Sequence, residues 1–527
     1  MSKSASRLVL LASAVLLVSC AGSETGAIPP GGTGGTAGGA AGTNGSAGTA
    51  GAGGASSTGG AASTGGASGA ASAGGAPGAG GARGGAGGGQ GGAAGTAPPP
   101  GNPGAPGCAL PAAAFCDALA TPSPGGRGGD VDDAKWSVTR ISNGVNPGQG
   151  QWMSYPFGNG LICGKTVGGI VPPDDYKICT DSNGPHLTQT ADDGGGNIVS
   201  SFRPRQPFDF TGRTGVIAFD LGGRQAGGHG FWPEIIITSE PSPAPYQDLI
   251  GIFPFPRDAI GVELANQPGC EYRAGATYTN NGVSAVKVIR NYVVSGWGPN
   301  DLHADYDGTG KLSEPPCFPV NDARMNHYEL RLSASTVELW VTDPGADPKA
   351  LRLVAKKDGI NLGFTRGYVN FQQAHYNAGK DDHVNIPPTH TFNWANIGFD
   401  GPVLPVERGY DVPDALVPFR DLGTSLGYRI TASAPLAFPL AGMNLSDATA
   451  ASLHLNIYGF YAGRILQFRF NGGAWQDFVS DLPANMEQRS LHIPVAMALL
   501  RSGDNLLEIK AGGANDMAGA NFDVTVR

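Results

Sequence analysis

Apolar and polar residues alternate with a period of two along much of the chain after residue 108. The clearest case is a pair of runs on either side of residues 333–335. Their apolar members are Tyr328, Leu330 and Leu332 before the turn and Val337, Leu339 and Val341 after it. Successive side chains of a strand point to opposite faces, so this alternation predicts a β-hairpin.

Similar runs recur elsewhere, separated by Gly, Pro, Asn and Asp. They lie at residues 214–221, 234–239, 285–294 and 367–373. Convincing helical periodicity is absent from this part of the chain. The pattern predicts an all-β fold with a large β-sandwich over residues 108–402.

Two prolines in residues 401–405 coincide with the end of this strand signal, which suggests a domain boundary. Beyond them, alternation resumes at residues 453–457, 466–470, 491–493, 506–510 and 522–526. Only residues 495–500 look helical, for one or two turns. We therefore expect a second, smaller β-sandwich over residues 403–527.

Composition separates the first fifth of the chain from the rest. Residues 21–107 contain 35 of the 86 glycines and only two charged residues, Glu24 and Arg83. Such a segment has too little apolar bulk to offset the entropy of an ordered chain. Residues 20–107 are therefore predicted to be a disordered tether rich in Gly, Ala and Thr.

The N-terminus has the layout of a secretory signal, with Lys3 and Arg7 before an apolar run that ends near Val18. The following residues resemble the bacterial lipobox. That resemblance implies a signal peptide over residues 1–19, a lipid on Cys20, and a lipoprotein of the cell envelope. Ala21 after the cysteine favours the outer membrane, on its periplasmic face or at the cell surface. The alternative is an ordinary cleaved signal.

Charge removes one class of function. From residue 108 onward, 31 basic residues stand against 42 acidic ones, a balance of −11. A nucleic-acid-binding surface needs excess positive charge, so we expect no nucleic-acid partner. No apolar run approaches the ~20 residues of a membrane-spanning helix, so the predicted membrane contact is through the N-terminal lipid only. The sequence leaves the oligomeric state open.

Six cysteines remain besides Cys20, an even number in an exported protein, which predicts three disulfides. Six cysteines allow 15 pairings, and the sequence does not choose among them. Sequential pairing gives the shortest loops, namely Cys108 with Cys116, Cys163 with Cys179, and Cys270 with Cys317.

Several segments of the first predicted sandwich resemble the concanavalin A-like lectin/glucanase superfamily, which includes laminin G-like modules and family 16 glycoside hydrolases. They lie at residues 132–136, 206–220, 230–235 and 392–402, in the order found in the family. The resemblance implies a jelly-roll of two curved antiparallel sheets whose concave face holds a carbohydrate.

Residues 232–240 are similar to the catalytic strand of the glucanases, and Glu234 matches its nucleophile. The assisting acid is replaced by Ile236, and the next carboxylate is Glu240. Retaining hydrolysis needs two carboxyl groups about 5–5.5 Å apart, whereas six residues of strand span about 20 Å. A bulge, or a carboxylate from another strand, would be needed to complete a catalytic pair.

Aromatic residues near turns and strand ends suit the flat apolar faces of sugars. With Glu234, the candidate carbohydrate-binding residues are Trp232, Trp297, Tyr376 and Trp394. Core packing is the alternative for each ring, because large aromatic side chains are mostly buried. Trp475, in the second sandwich, is either a ligand platform or a core residue.

Residues 303–314 overlay the spacing of a calcium loop, except that His303 takes the first ligand position. The candidate ligands are Asp301, Asp305, Asp307 and Glu314. The alternative is an acidic turn closed by the Cys270–Cys317 bridge. No cofactor is required by the predicted function, and calcium is an optional one.

Together these patterns predict a surface-anchored lipoprotein that binds a polysaccharide or cell-wall glycan without cleaving it. One alternative is a family 16 type glycoside hydrolase with a rearranged acid/base, using Glu234 and Glu240. Another is a structural or adhesive envelope protein.

Overall fold

The structure is a computed structural model in which the described residues belong to one compact unit. It describes residues 105–123, 126–142, 159–168, 172–192, 198–222, 231–243, 245, 258–265, 283–290, 301–303, 317–319, 324–342, 350–375, 389–418, 424–480 and 488–527. The predicted signal peptide, Cys20 and the tether up to residue 104 lie outside the described residues.

The first sandwich is built from the strands that precede residue 400. They are β1 (Ala105–Gly107), β2 (Leu110–Ala113), β3 (Phe115–Asp117), β4 (Trp136–Ser142), β5 (Asn159–Ile162), β6 (Lys165–Gly168), β7 (Tyr176–Asp181), β8 (Gly184–Asp192), β9 (Ile198–Pro204), β10 (Phe208–Asp209), β11 (Gly215–Gly222), β12 (Phe231–Thr238), β13 (Ala259–Ala265), β14 (Val283–Arg290), β15 (Asp301–His303), β16 (Cys317–Pro319), β17 (Asn326–Leu332), β18 (Thr336–Thr342), β19 (Leu351–Asp358), β20 (Arg366–His375) and β21 (Thr389–Phe399). The strand β1 pairs with β2, so the last three residues of the predicted tether are ordered.

Two large antiparallel sheets make up this sandwich in the part of the chain that the structure describes, and β1-β2 and β5-β6 form two further two-stranded sheets. The nine-stranded sheet has the order β15-β14-β13-β12-β20-β9-β4, with β10 beside β20 and β16 beside β14. The eight-stranded sheet has the order β19-β18-β17-β11-β21-β8-β7, with β3 beside β21. Most neighbours are distant in sequence, as in a jelly-roll.

The core lies between these two sheets and is rich in aromatic rings. Phe371 of the nine-stranded sheet has its ring centroid 5.9 Å from that of Phe219 and 5.6 Å from that of Trp394, both in the eight-stranded sheet. The predicted hairpin is β17 and β18, whose residues alternate between core and half-buried positions as their sequence indicates.

The second sandwich is built from the strands β22 (Arg408–Asp411), β23 (Leu416–Pro418), β24 (Thr424–Leu426), β25 (Tyr428–Ile430), β26 (Leu436–Met443), β27 (Ala451–Tyr458), β28 (Ile465–Phe470), β29 (Gln476–Val479), β30 (Gln488–Val495), β31 (Gly503–Ala511) and β32 (Met517–Val526). In the described chain, a five-stranded sheet has the order β22-β32-β27-β30, with β25 beside β32. A four-stranded sheet has the order β26-β31-β28-β29. The rings of Phe438 and Phe522 pack across the two sheets, with their centroids 5.2 Å apart.

The prediction of an all-β fold with two sandwiches is confirmed. The predicted short helix is a 3-10 turn, Met497–Leu499. Among the described residues, no helix is both long and apolar enough to cross a bilayer.

Two of the three expected disulfides lie in the described part of the chain. Cys108 is bonded to Cys116, and Cys163 to Cys179. Cys317 begins β16, but Cys270 lies outside the described residues, so the third bridge stays a prediction.

The two sandwiches contact each other along β4, an edge strand of the nine-stranded sheet. The side-chain amide of Asn521 in β32 bonds both backbone groups of Arg140: its Oδ1 accepts from the amide at 2.9 Å, and its Nδ2 donates to the carbonyl at 2.6 Å. An edge strand otherwise presents unpaired backbone groups, so one asparagine takes the place of a neighbouring strand there.

A network of buried charges also joins the two sandwiches along this contact. The first sandwich contributes arginines, and the second contributes most of the carboxylates. The ion pairs across the contact are Arg127 with Asp414 (3.4 Å), Arg140 with Asp414 (2.7 Å), Arg203 with Glu407 (3.0 Å), Arg205 with Asp411 (3.0 Å) and Arg205 with Asp523 (3.3 Å). We call this set the arginine network. Its side chains are almost fully shielded from solvent.

Carboxylates in the arginine network, and Asp133 beside it, have shifted pKa values. Burial, with the negative charge of Asp411, raises the pKa of Asp133 to about 7. Burial, with the negative charge of Asp523, raises the pKa of Asp411 to about 6. For Asp523, the nearby Arg205 and His454 outweigh desolvation by burial and hold its pKa below the ordinary value.

Gly409→Ala tests the arginine network. A methyl group at residue 409 would lie 1.6 Å from a guanidinium nitrogen of Arg205, so the arginine must leave its carboxylates. Breaking a buried ion pair costs about 3 kcal/mol, and we expect the free energy of unfolding to fall by about that much in urea denaturation. Gly513→Ala is the matched control, because a methyl group there meets nothing within 4 Å. Equal stabilities of the two variants would contradict the role of the network.

Stability should rise as the pH is lowered from 8 to 5. Between the ordinary aspartate pKa of 3.8 and their raised values, Asp133 and Asp411 hold protons in the folded protein that the unfolded chain has released. Each such proton changes the unfolding free energy by about 1.4 kcal/mol per pH unit. The Asp523 contribution is lost only below about pH 4. Urea unfolding midpoints measured across this pH range test the direction of the change, and Asp133→Asn should reduce the dependence of stability on pH. Greater stability at pH 8 than at pH 5 would refute this prediction.

Candidate functional site

Glu234 lies in β12, in the middle of the nine-stranded sheet. Its neighbours Ile235 and Ile237 belong to the core between the two sheets. Because side chains alternate along a strand, Glu234, Ile236 and Thr238 point away from that core. We call this side of the nine-stranded sheet the outer face.

Strand register extends the outer face sideways from Glu234. Glu263 of β13 pairs with Glu234, which pairs with Gln372 of β20, then Ser201 of β9 and Thr139 of β4. Directly paired residues of antiparallel strands point to the same face, so these five side chains form a polar row. All five are buried, and Glu234 is 0% exposed.

The environment of Glu234 is that of an interior carboxylate. The side-chain amide of Gln372 donates to its Oε2 at 3.0 Å. Two polar groups beside it have no hydrogen-bond partner among the described residues. They are the side-chain carbonyl oxygen of Gln372, Oε1, and the hydroxyl of Ser201. The polar row therefore combines amide and hydroxyl groups with hydrogen-bonding capacity that the described chain does not use.

Glu263 is a carboxylate that the sequence analysis missed. It lies directly across from Glu234, and paired positions have Cβ atoms about 4.5–5.5 Å apart. The sequence signal that could have indicated a strand residue here is the position of Glu263 between the apolar residues Val262 and Leu264. No local pattern indicates the register that brings β13 beside β12.

Glu240 does not share the surroundings of Glu234. The strand β12 runs without interruption to Thr238, and the Glu240 side chain beyond it is 60% exposed. Its Oε2 lies 3.7 Å from Nδ1 of His492 in the second sandwich. The structure does not bring the two predicted catalytic carboxylates together.

The second sandwich covers part of the outer face. Tyr368, four residues before Gln372 on β20 and therefore on the same face, donates its hydroxyl to Glu407 at 3.2 Å. Ser137 of β4 donates to Asp523 at 3.4 Å. The face that the family resemblance assigns to carbohydrate is therefore, at these positions, a contact between the two sandwiches.

The predicted aromatic residues have different outcomes. Trp394 is fully buried in the core, where its indole N–H donates to Gln189 Oε1 at 2.8 Å, so it offers no face to a sugar. Trp232 belongs to β12, but its side chain lies outside the described residues, as do Trp297 and Tyr376.

The predicted calcium loop is described only at its start. Asp301 begins β15 and pairs with Ile289 of β14. Its side chain, Asp305, Asp307 and Glu314 lie outside the described residues. Among the side chains that are described, no three metal-binding residues are grouped. Calcium binding stays a prediction.

Two tryptophans lie half-buried at the surface against cations. Trp340 in β18 has Arg331 4.2 Å from its ring centroid. Trp475, between β28 and β29, has both Arg469 and Lys510 at 4.4 Å from its ring centroid. Of the two readings of Trp475, the structure excludes the core one.

Comparison with known proteins identifies no family. No protein-family model matches the chain, and no curated protein matches its sequence. Similar solved structures include the Bacteroides ovatus mixed-linkage glucan GH16 protein in complex with its product, at 12% identity and a TM-score of 0.30 over 54% of this chain and 98% of that one. The endo-1,3-β-glucanase of Streptomyces sioyaensis is 12% identical, with a TM-score of 0.28 over 55% and 97%.

Lectin II from Ulex europaeus is also similar, at 12% identity and a TM-score of 0.25 over 43% of this chain and 90% of the lectin. Glucanases and lectins thus both appear among the similar structures. Likeness at this level carries no argument about ligand or activity.

Glu234→Ala tests whether this carboxylate is part of the interior. Deleting it leaves a cavity and removes the acceptor of the Gln372 amide, so the free energy of unfolding should fall by about 2 kcal/mol or more. Glu240→Ala, at an exposed carboxylate, should change it by no more than about 0.5 kcal/mol. Urea denaturation compares the two variants. An equally small effect of both would mean that Glu234 is not an interior group.

Proposed function

We propose that this protein is an envelope lipoprotein, anchored through Cys20 in the outer membrane, that binds polysaccharide without cleaving it. Support for the ligand class comes from the two-sheet architecture of the first sandwich, together with the segments that resemble lectins and glucanases. Support for the anchor comes from the lipobox-like residues before Cys20 and the Gly-rich tether that follows.

The burial of Glu234 carries the proposal that cleavage does not occur. A glycosidase carboxylate must touch the anomeric carbon or the leaving oxygen of its substrate. Glu234 is 0% exposed and is hydrogen-bonded by Gln372, so a polysaccharide in solution does not reach it. The position of Ile236 supports the same conclusion, because the assisting acid is missing.

Glu263 favours hydrolysis as a second candidate function. It pairs with Glu234, and cross-strand partners have Cβ atoms about 4.5–5.5 Å apart, which lets the two carboxyl groups reach the separation of about 5–5.5 Å of a retaining pair. This carboxylate from a neighbouring strand meets the requirement that Glu240 fails. Glu263 is also buried, at 1% exposure, so the same barrier to substrate applies to both.

The contact between the sandwiches favours a third candidate, a structural or adhesive envelope protein that binds no glycan. In that case the polar row would serve only to pack the interior of the molecule. Binding measurements separate this candidate from the first two.

Incubation of the protein with laminarin, agarose and cell-wall glucans tests all three candidates. We expect retarded migration in native gels containing at least one polysaccharide, and no release of reducing sugar. Release that is abolished in both Glu234→Gln and Glu263→Gln would establish hydrolysis instead. Neither retardation nor release with any glycan would support the structural candidate and overturn the proposed function.

A further inference from the structure

The second sandwich has an exposed surface on the side of the four-stranded sheet that faces away from its own core. The buried residues Leu466, Phe468 and Phe470 of β28 face that core. The alternate residues Gln467 and Arg469 therefore face outward. Trp475 follows β28 in the turn Asn471 to Trp475 and contacts this side.

Strand register defines what surrounds the ring. Asp477 of β29 pairs with Gln467 of β28, which pairs with Lys510 of β31. Arg469 of β28 pairs with Glu508 of β31. These pairs form two polar rows on the same face of the sheet. Together with Trp475 we call them the Trp475 surface.

Cations from the sheet hold the indole ring in place. Arg469 and Lys510 rise from adjacent strands, and each lies 4.4 Å from the ring centroid. Arg469 is itself fixed by a bidentate pair with Glu508, at 2.7 and 2.8 Å. A ring held from the sheet side loses little conformational freedom when a ligand stacks on its other side.

Apolar exposure concentrates on this same face. Among the described residues, the exposed large apolar side chains are Val167, Val479 and Leu506. Val479 lies two residues after Asp477 and Leu506 two residues before Glu508, so both flank the Trp475 surface. These two side chains add apolar surface at either end of the polar rows, which a ligand that spans the rows would cover.

The charges of the surface point to a neutral ligand. Arg469 is neutralised by Glu508, and the positive charge of Lys510 is offset by the negative charge of Asp477, which lies across Gln467 in the same row. The Asp477 carboxylate already accepts from Gln467 Nε2 at 2.7 Å. An anionic polymer gains no excess of positive charge here. The side chains offer donors and acceptors in one plane, which suits hydroxyl groups.

We propose that the Trp475 surface binds a neutral β-linked polysaccharide. A pyranose with equatorial hydroxyl groups has a flat face of C–H bonds, which stacks on the outer face of the Trp475 ring. Its hydroxyl groups bond Gln467, Asp477 and Lys510. The inference rests on the proposed function for the ligand class. It assigns glycan binding to the second sandwich, whereas the sequence resemblance assigned it to the face that carries the buried polar row.

Native gel electrophoresis of the whole folded protein tests whether the Trp475 surface binds a β-linked glycan. The probes are hydroxyethyl cellulose and laminarin. Dextran serves as the α-linked comparator and polygalacturonate as the anionic one. Trp475→Ala should weaken retardation by the β-glucans roughly tenfold, because an aromatic stack is lost. Trp475→Phe should retain part of the affinity. Trp340→Ala is the matched control, since Trp340 is also half-buried against an arginine, and it should bind like the parent protein.

Each outcome has one meaning. If the parent binds a β-glucan and Trp475→Ala binds equally well, the Trp475 surface is not the site, while the proposed function stands. If the parent binds no polysaccharide, the proposed function fails, and this inference fails with it. Equal losses in the Trp475 and Trp340 variants, or stronger retardation by polygalacturonate than by the β-glucans, would also overturn the inference. Thermal unfolding monitored by circular dichroism checks that each variant is folded.

Discussion

Arginines buried in the first sandwich are the constraint on which the rest of this molecule depends. Arg127, Arg140 and Arg205 are almost fully withdrawn from water, and a guanidinium in that position is costly unless carboxylates surround it. Several of those carboxylates, Asp411, Asp414 and Asp523, belong to the second sandwich. Arg140 also pairs with Asp175 of the first sandwich, but Arg127 and Arg205 have their ion-pair partners in the second, so the two sandwiches form one unit.

This contact determines what the outer face of the nine-stranded sheet can do. Here Tyr368 and Ser137 bond the second sandwich, and the polar row beside them is buried. Glu234, which the sequence resemblance assigned to a catalytic strand, is 0% exposed in this row. Exposed aromatic and apolar groups instead gather on the Trp475 surface.

The strands could be predicted from the sequence because their signal is local. The alternation of Tyr328, Leu330 and Leu332 depends only on neighbouring residues, and it appears unchanged in β17. The Cys108–Cys116 and Cys163–Cys179 bridges were favoured for the same reason, since each closes a short loop.

Features that depend on distant residues could not be predicted. Arg205 and Asp523 are 318 residues apart, and neither has a neighbour that marks it as part of an ion pair. Glu263 meets Glu234 only through strand register. Trp394 and Trp475 are both large aromatics near turns, and only the packing shows that the first belongs to the core and the second to the surface.

The closed state of the polar row can be measured directly through the labelling rate of an introduced thiol. Ser201→Cys places a small reactive group in the row, where the serine is 2% exposed, and parent protein treated in parallel corrects for the native cysteines. We expect this thiol to react with a small thiol reagent only at the rate of global unfolding. Labelling as fast as that of an exposed cysteine introduced at Ala474, under native conditions, would show that this face is open to solvent and would contradict the burial of the polar row.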